Sequence, residues 1–252
     1  MANVTKMDIP YKIPFMIFGI MMAFHMIVEF SGIVDLSIVS RIILVVSPIA
    51  VSISCFIIAK IYGMSKVFGK SYFLLGLGFF SVFAGEITYF HYVDTLLHEG
   101  YSIIGDFFFL ASYPFKIAHI FINMRYFVDR LTYFQKSLLC VIPVAMILGY
   151  SLVVFSVGLD NADEFAYSLI FVIASSVVLA LTVVAFTLFR QTVLISAWFV
   201  LLTGIAIGTV GDILYNYAYA LGVYSFSSLL HTIWIASSLI MIYALYKHQQ
   251  SI

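Results

Sequence analysis

Charge is scarce in this sequence. Only 10% of its 252 residues are Asp, Glu, Lys or Arg, 63% are hydrophobic, and the mean hydropathy is +1.12. A soluble domain is about 25% charged and about 45–50% apolar. So little polar surface excludes a soluble globular fold. It does not exclude a lipid-embedded one, because lipid-facing side chains need no burial in protein. The formal net charge is +0, which removes the electrostatic basis for binding nucleic acid.

Cysteine is scarce too. Cys55 and Cys140 are the only two, and both fall inside apolar runs. They read as packing residues, not as a disulfide or a metal pair. The sequence has no CxxC, HExxH, GxSxG, P-loop or GxGxxG string. No catalytic residue and no cofactor can be nominated from it. A removable signal peptide is not expected either. The first apolar run is too long, carries His25 and Glu29, and lacks a small-x-small cleavage site.

What the sequence does have is long apolar runs. A span needs about 20 of them in a row. Eight qualify, at roughly 13–33, 42–62, 71–91, 105–126, 137–158, 165–188, 193–215 and 227–246. The expected fold is therefore all-α: one polytopic membrane domain over residues 1–252 with eight transmembrane helices.

Lys and Arg set the orientation. With the N-terminus inside, the cytoplasmic segments collect Lys6, Lys12, Lys60, Lys66, Lys70, Arg125, Arg130, Lys136, Arg190 and Lys247. The outer loops collect only Arg41, and they carry Asp94, Glu99, Asp160, Asp163 and Glu164. Both termini are expected in the cytoplasm of a cell-membrane protein. Tyr89, Tyr92, Tyr101, Tyr215, Tyr217, Tyr219 and Tyr224 gather at the outer face, where amphipathic rings prefer to sit.

Gly85-Glu86-Ile87-Thr88-Tyr89 is echoed about 126 residues on by Gly211-Asp212-Ile213-Leu214-Tyr215. At that offset the first three spans fall on the fifth to seventh, and the fourth and eighth agree after a small shift. The expectation is two parallel repeats, about 1–126 and 127–252, with Glu86 and Asp212 at equivalent positions.

Ionisable groups at membrane depth cost about 2.5–3.5 kcal/mol each on insertion scales, so each calls for a partner. His25 and Glu29 share a face of the first span at i,i+4. Glu86, Asp106, Asp212 and His231 also lie within roughly two turns of the outer interface. Lys116 is ten residues past Asp106, about 15 Å deeper, and His119 follows it. The expected arrangement is a polar cavity open to the outside. Lys116 forms its floor and pairs with Glu86 or Asp212; Tyr113, His119, His231 and Trp234 complete the lining. The plainer alternative leaves Glu29, Asp106 and His231 in headgroup water. His25 and Glu29 are the weak candidates for a metal, which the sequence does not otherwise indicate. The four methionines nearby, Met16, Met21, Met22 and Met26, read as packing.

The fourth span begins Asp106-Phe107-Phe108-Phe109-Leu110-Ala111-Ser112-Tyr113-Pro114. This Asp-x6-Tyr-Pro string resembles the membrane region that precedes the GGDEF domain in a group of bacterial diguanylate cyclases. Trp198, Gly204, Asp212-Ile213-Leu214-Tyr215, Gly222-Val223-Tyr224 and Trp234 are similar to the end of that region. The resemblance covers mainly the third, fourth, seventh and eighth spans. It singles out Asp106, Tyr113, Pro114, Asp212 and Trp234. No GGDEF string occurs, and the chain stops at Ile252. The resemblance then implies a stand-alone sensory module without cyclase activity, which needs a cytoplasmic or membrane signalling partner. Pro114 also implies a kink above Lys116. Two other readings stay open. The repeat and Lys116 fit a small-solute or ion-coupled transporter. The Gly-Asp pairs at Gly105-Asp106 and Gly211-Asp212 distantly resemble lysoplasmalogenase-type lipid hydrolases.

Overall fold

The computed structural model describes residues 12–31, 34–64, 66–91, 103–158, 162–188, 195–224 and 229–250. Among these lie eight α-helices: α1 (Lys12–Ser31), α2 (Val34–Tyr62), α3 (Val67–Tyr89), α4 (Ile103–Phe127), α5 (Tyr133–Val157), α6 (Ala162–Leu188), α7 (Ile195–Ala220) and α8 (Leu229–Gln250). Seven of them, α2 to α8, are long and apolar enough to cross a membrane. Within α1 the described apolar segment is Lys12–Ile27.

Helix ends follow local chemistry. Thr132 caps α5 by accepting from the Gln135 N–H, and the Gln135 side chain accepts from the Thr132 N–H in return. The same helix stops at Gly158, whose φ of 75° is left-handed and favours glycine. Pro48 sits inside α2 and cannot donate to the Leu44 carbonyl; the Ser47 hydroxyl reaches that oxygen instead, at 3.4 Å. α4 runs on through Pro114 as one helix.

One boundary corrects the sequence reading. Arg41 was expected in an outer loop, yet α2 begins at Val34 and carries Arg41 within it. The stretch from Val34 to Arg41 holds no Gly or Pro to stop a helix, so its four polar residues do not end it.

Six helices form a closed ring. α2 packs on α3, α3 on α4, α4 on α6, α6 on α7, α7 on α8, and α8 back on α2. α1 packs on α8, while α5 packs on α6 and α7. α5 turns Val141, Val144, Leu148, Leu152 and Phe155 outward, each more than half exposed, at the three-to-four spacing of one helix face. Such a stripe suits lipid.

Glycines set how closely ring helices approach. A Cβ on Gly78 would lie 3.3 Å from the Ser112 carbonyl oxygen of α4; one on Gly204 would lie 3.2 Å from the Ser237 carbonyl oxygen of α8. Higher up, a Cβ on Gly85 would strike the Phe109 ring, and one on Gly211 the Trp234 indole, each at 2.8 Å. Without side chains at these positions, α3–α4 and α7–α8 close tightly. In lipid such close packing, not escape from water, holds helices together.

Toward one end of the ring the interior is solid. Val51, Cys55, Tyr72, Leu75, Ile120, Val184, Trp198, Leu201, Ile240 and Leu245 are almost wholly buried there. Toward the end where odd-numbered helices finish, here the upper end, the interior opens.

Candidate ligand cavity

The opening is a cavity of ≈ 200 Å³ lined from all six ring helices. On the same measure a single water needs roughly 10–15 Å³. Among the described residues, none from α1 or α5 contributes to the lining.

Asp212 of α7 is its best-anchored acid. The Tyr113 hydroxyl donates to one carboxylate oxygen at 3.1 Å, and the Trp234 indole N–H to the other at 3.0 Å. Bare Gly211, the preceding residue, leaves room for the indole to come this close. Lys116 Nζ lies 4.0 Å from the same oxygen that Tyr113 reaches, a loose ion pair. The ammonium also lies 5.0 Å from the Tyr113 ring centroid and 5.5 Å from that of Phe79. Both are cation–π distances. One turn of α4 thus delivers Tyr113 and Lys116 to one carboxylate on another helix. Sequence spacing left Glu86 and Asp212 both open as partners of Lys116; the ion pair is with Asp212.

Glu86 of α3 also lines the cavity. No side chain among the described residues donates a hydrogen bond to its carboxylate. Asp106 accepts from the Tyr167 hydroxyl at 2.7 Å. Near the top, Tyr224 Oη and His231 Nε2 are 3.2 Å apart. Burial holds the Tyr224 hydroxyl above its ordinary range; Glu86 and Tyr89 add to this and Arg41 opposes it. Tyr224 is therefore a neutral hydroxyl.

The cavity brings together Glu86, Asp106, Tyr113, Lys116, Asp212, His231 and Trp234. His119 is not among its walls. Three residues below Lys116, it sits where the ring is packed shut, fully buried. There its Nδ1 lies 3.0 Å from the Ser71 carbonyl oxygen and 2.7 Å from the Ser71 hydroxyl. Asn123 donates to the His119 carbonyl at 2.7 Å and to the Ser71 hydroxyl. The His119 ring stacks on Trp198, and Tyr72 packs beside both. His248 joins this lower cluster, 2.7 Å from the Tyr62 hydroxyl and 3.3 Å from that of Tyr72.

His25 is half-buried on α1, and the side chain of Glu29 lies outside the described residues. Among the described residues no three His, Cys, Asp or Glu side chains group as metal ligands.

Sequence reasoning missed several lining residues. Tyr89, Tyr215, Tyr219 and Tyr224 read as an interfacial belt but face the cavity. Tyr217 of the same belt turns away and donates to the Met146 carbonyl of α5 at 3.1 Å. Tyr92 and Tyr101 lie outside the described residues. Tyr167 and Arg41 were not singled out as lining. The one available signal for Tyr167 was a hydroxyl near the start of a span, at the level of Asp106.

Compared with known proteins, the chain matches no family model, no curated protein and no solved structure.

Proposed function

We propose that this multi-pass membrane protein is a sensory module that takes a small molecule into the cavity from outside and signals to a cytoplasmic or membrane partner. The observation that carries this reading is the cavity itself. Costly polar side chains from separate helices converge on one space large enough for a ligand. The Asp-x6-Tyr-Pro resemblance supports the sensory part: Asp106, Tyr113, Asp212 and Trp234 all line that space.

In this reading α1 is an eighth span and both termini are cytoplasmic. Lys60, Lys66, Lys70, Arg125, Arg130, Lys136 and Lys247 at the lower end favour that orientation. The two halves are parallel repeats. Matching contacts support this: Gly78–Ser112 corresponds to Gly204–Ser237, and Gly85–Phe109 to Gly211–Trp234. The offset is 126 residues for the glycines and 125 for their partners, the small shift seen in the sequence. The ring also has matching neighbours, α2–α3–α4 against α6–α7–α8.

The test is a thermal-shift screen of the protein in lipid nanodiscs against mixed small molecules. A binder should stabilise wild type and fail on Thr209→Phe, which fills the cavity from α7. Binders indifferent to that substitution would place the ligand elsewhere.

A second reading, transport, is favoured by the lower cluster of Ser71, His119, Asn123 and His248, which places polar groups beneath the cavity as well. Flux in proteoliposomes that collapses on Asp212→Asn would select it over sensing.

A further inference from the structure

The proposed ligand site has an unequal set of charges. Three carboxylates line the cavity, Glu86, Asp106 and Asp212, against two permanently basic side chains, Arg41 and Lys116. Asp212 has its ion pair and two donors. Asp106 has the Tyr167 hydroxyl. Among the described residues Glu86 alone of the three has neither, although it lines the cavity. A carboxyl group held at this depth without a donor either stays protonated or ionises against a cationic donor supplied by whatever fills the space.

The surrounding walls suit one kind of donor. Tyr215 is the hub of an aromatic surface: its ring lies 4.8 Å from Tyr224, 6.0 Å from Trp234 and 6.3 Å from Tyr219, centroid to centroid. Tyr89 and Phe109 lie 6.3 Å apart on the α3–α4 side. All of these residues line the cavity. Aromatic faces attract cations and accept apolar groups, and they offer nothing to an anion. The opposite choice, an anionic ligand seated on Lys116, meets a cation already shared between Asp212 and two rings.

We infer that the cavity takes a small organic cation, an amine carrying an apolar or aromatic body, with its nitrogen on Glu86 and its body against the Tyr215–Trp234 wall. This rests on the cavity being a ligand site. It adds which ligand class the site selects and which residue selects it.

The experiment uses isosteric probes on the full chain in nanodiscs: phenethylamine, phenethyl alcohol and phenylacetate, read by thermal shift and isothermal titration. The amine should bind tightest. Glu86→Gln should weaken it by roughly ten- to a hundredfold, the worth of one hydrogen bond to a charged group, and leave the alcohol unchanged. Equal binding of amine and alcohol, or tighter binding of phenylacetate, would overturn the cation assignment while leaving a ligand site in place. Binding by none of the three would also overturn it. Solvent access is then read separately, by labelling Ser238→Cys in a Cys140→Ser background with a small thiol reagent. A Ser238→Cys that reacts keeps the cavity as an open site, and one that stays inert removes the site itself. The native Cys55 is buried and supplies the unreactive reference.

Discussion

Trp234 lies against Gly211 on α7 as Phe109 lies against Gly85 on α3, and only the first ring carries an N–H to donate to the neighbouring acid. The two contacts share a packing scheme and differ in chemistry: Asp212 accepts from the indole N–H, and Phe109 has no such donor to offer Glu86.

That packing is tight enough to test. In Gly211→Ala the new Cβ meets a rigid indole, so overpacking should cost about 1–3 kcal/mol. Gly85→Ala should cost a similar amount against Phe109. Gly19→Ala, where nothing lies within 4 Å, should be neutral or gain up to about 1 kcal/mol. Thermal unfolding in nanodiscs reads all three. A harmless Gly211→Ala would mean the indole is not seated against α7.

The lower cluster should behave as structure and not as ligand site. His119→Leu removes the ring that meets the Ser71 carbonyl, and loss of that buried bond should cost about 1–3 kcal/mol. Binding in the cavity should not change, because His119 is absent from its walls. Titration of a cavity ligand into this variant checks the separation. A large loss of affinity at normal protein level would join the two sites.

Much of the fold was legible in hydropathy. The long helices fall where apolar runs of about 20 residues predict them, since lipid demands that the backbone satisfy its own hydrogen bonds. Arg41 was misplaced because a lone basic residue between apolar stretches reads as a loop. Only the helix that continues past it shows it turned to the cavity. Lys116 and His119 are three residues apart, so sequence gave them one environment. Depth separates them: the ring is open at Lys116 and solid at His119. Ring closure, α8 against α2, joins distant segments and leaves no local mark in the chain.

Orientation has its own test. In a Cys140→Ser background, His91→Cys at the upper end should react with an impermeant thiol reagent added to intact cells. Arg130→Cys, exposed at the lower end, should react only after permeabilisation. The reverse pattern would invert the protein in the membrane and place the cavity on the cytoplasmic side.

The most direct measurement is a double-mutant cycle on Lys116 and Asp212. Asp212→Asn leaves a buried ammonium without its carboxylate and should cost about 3 kcal/mol. Lys116→Met should cost less, because Asp212 keeps the Tyr113 and Trp234 donors. The double variant should recover part of the loss, giving a coupling of about 1 kcal/mol or more. Losses that add to within about 0.5 kcal/mol would show that the two charges do not meet across α4 and α7.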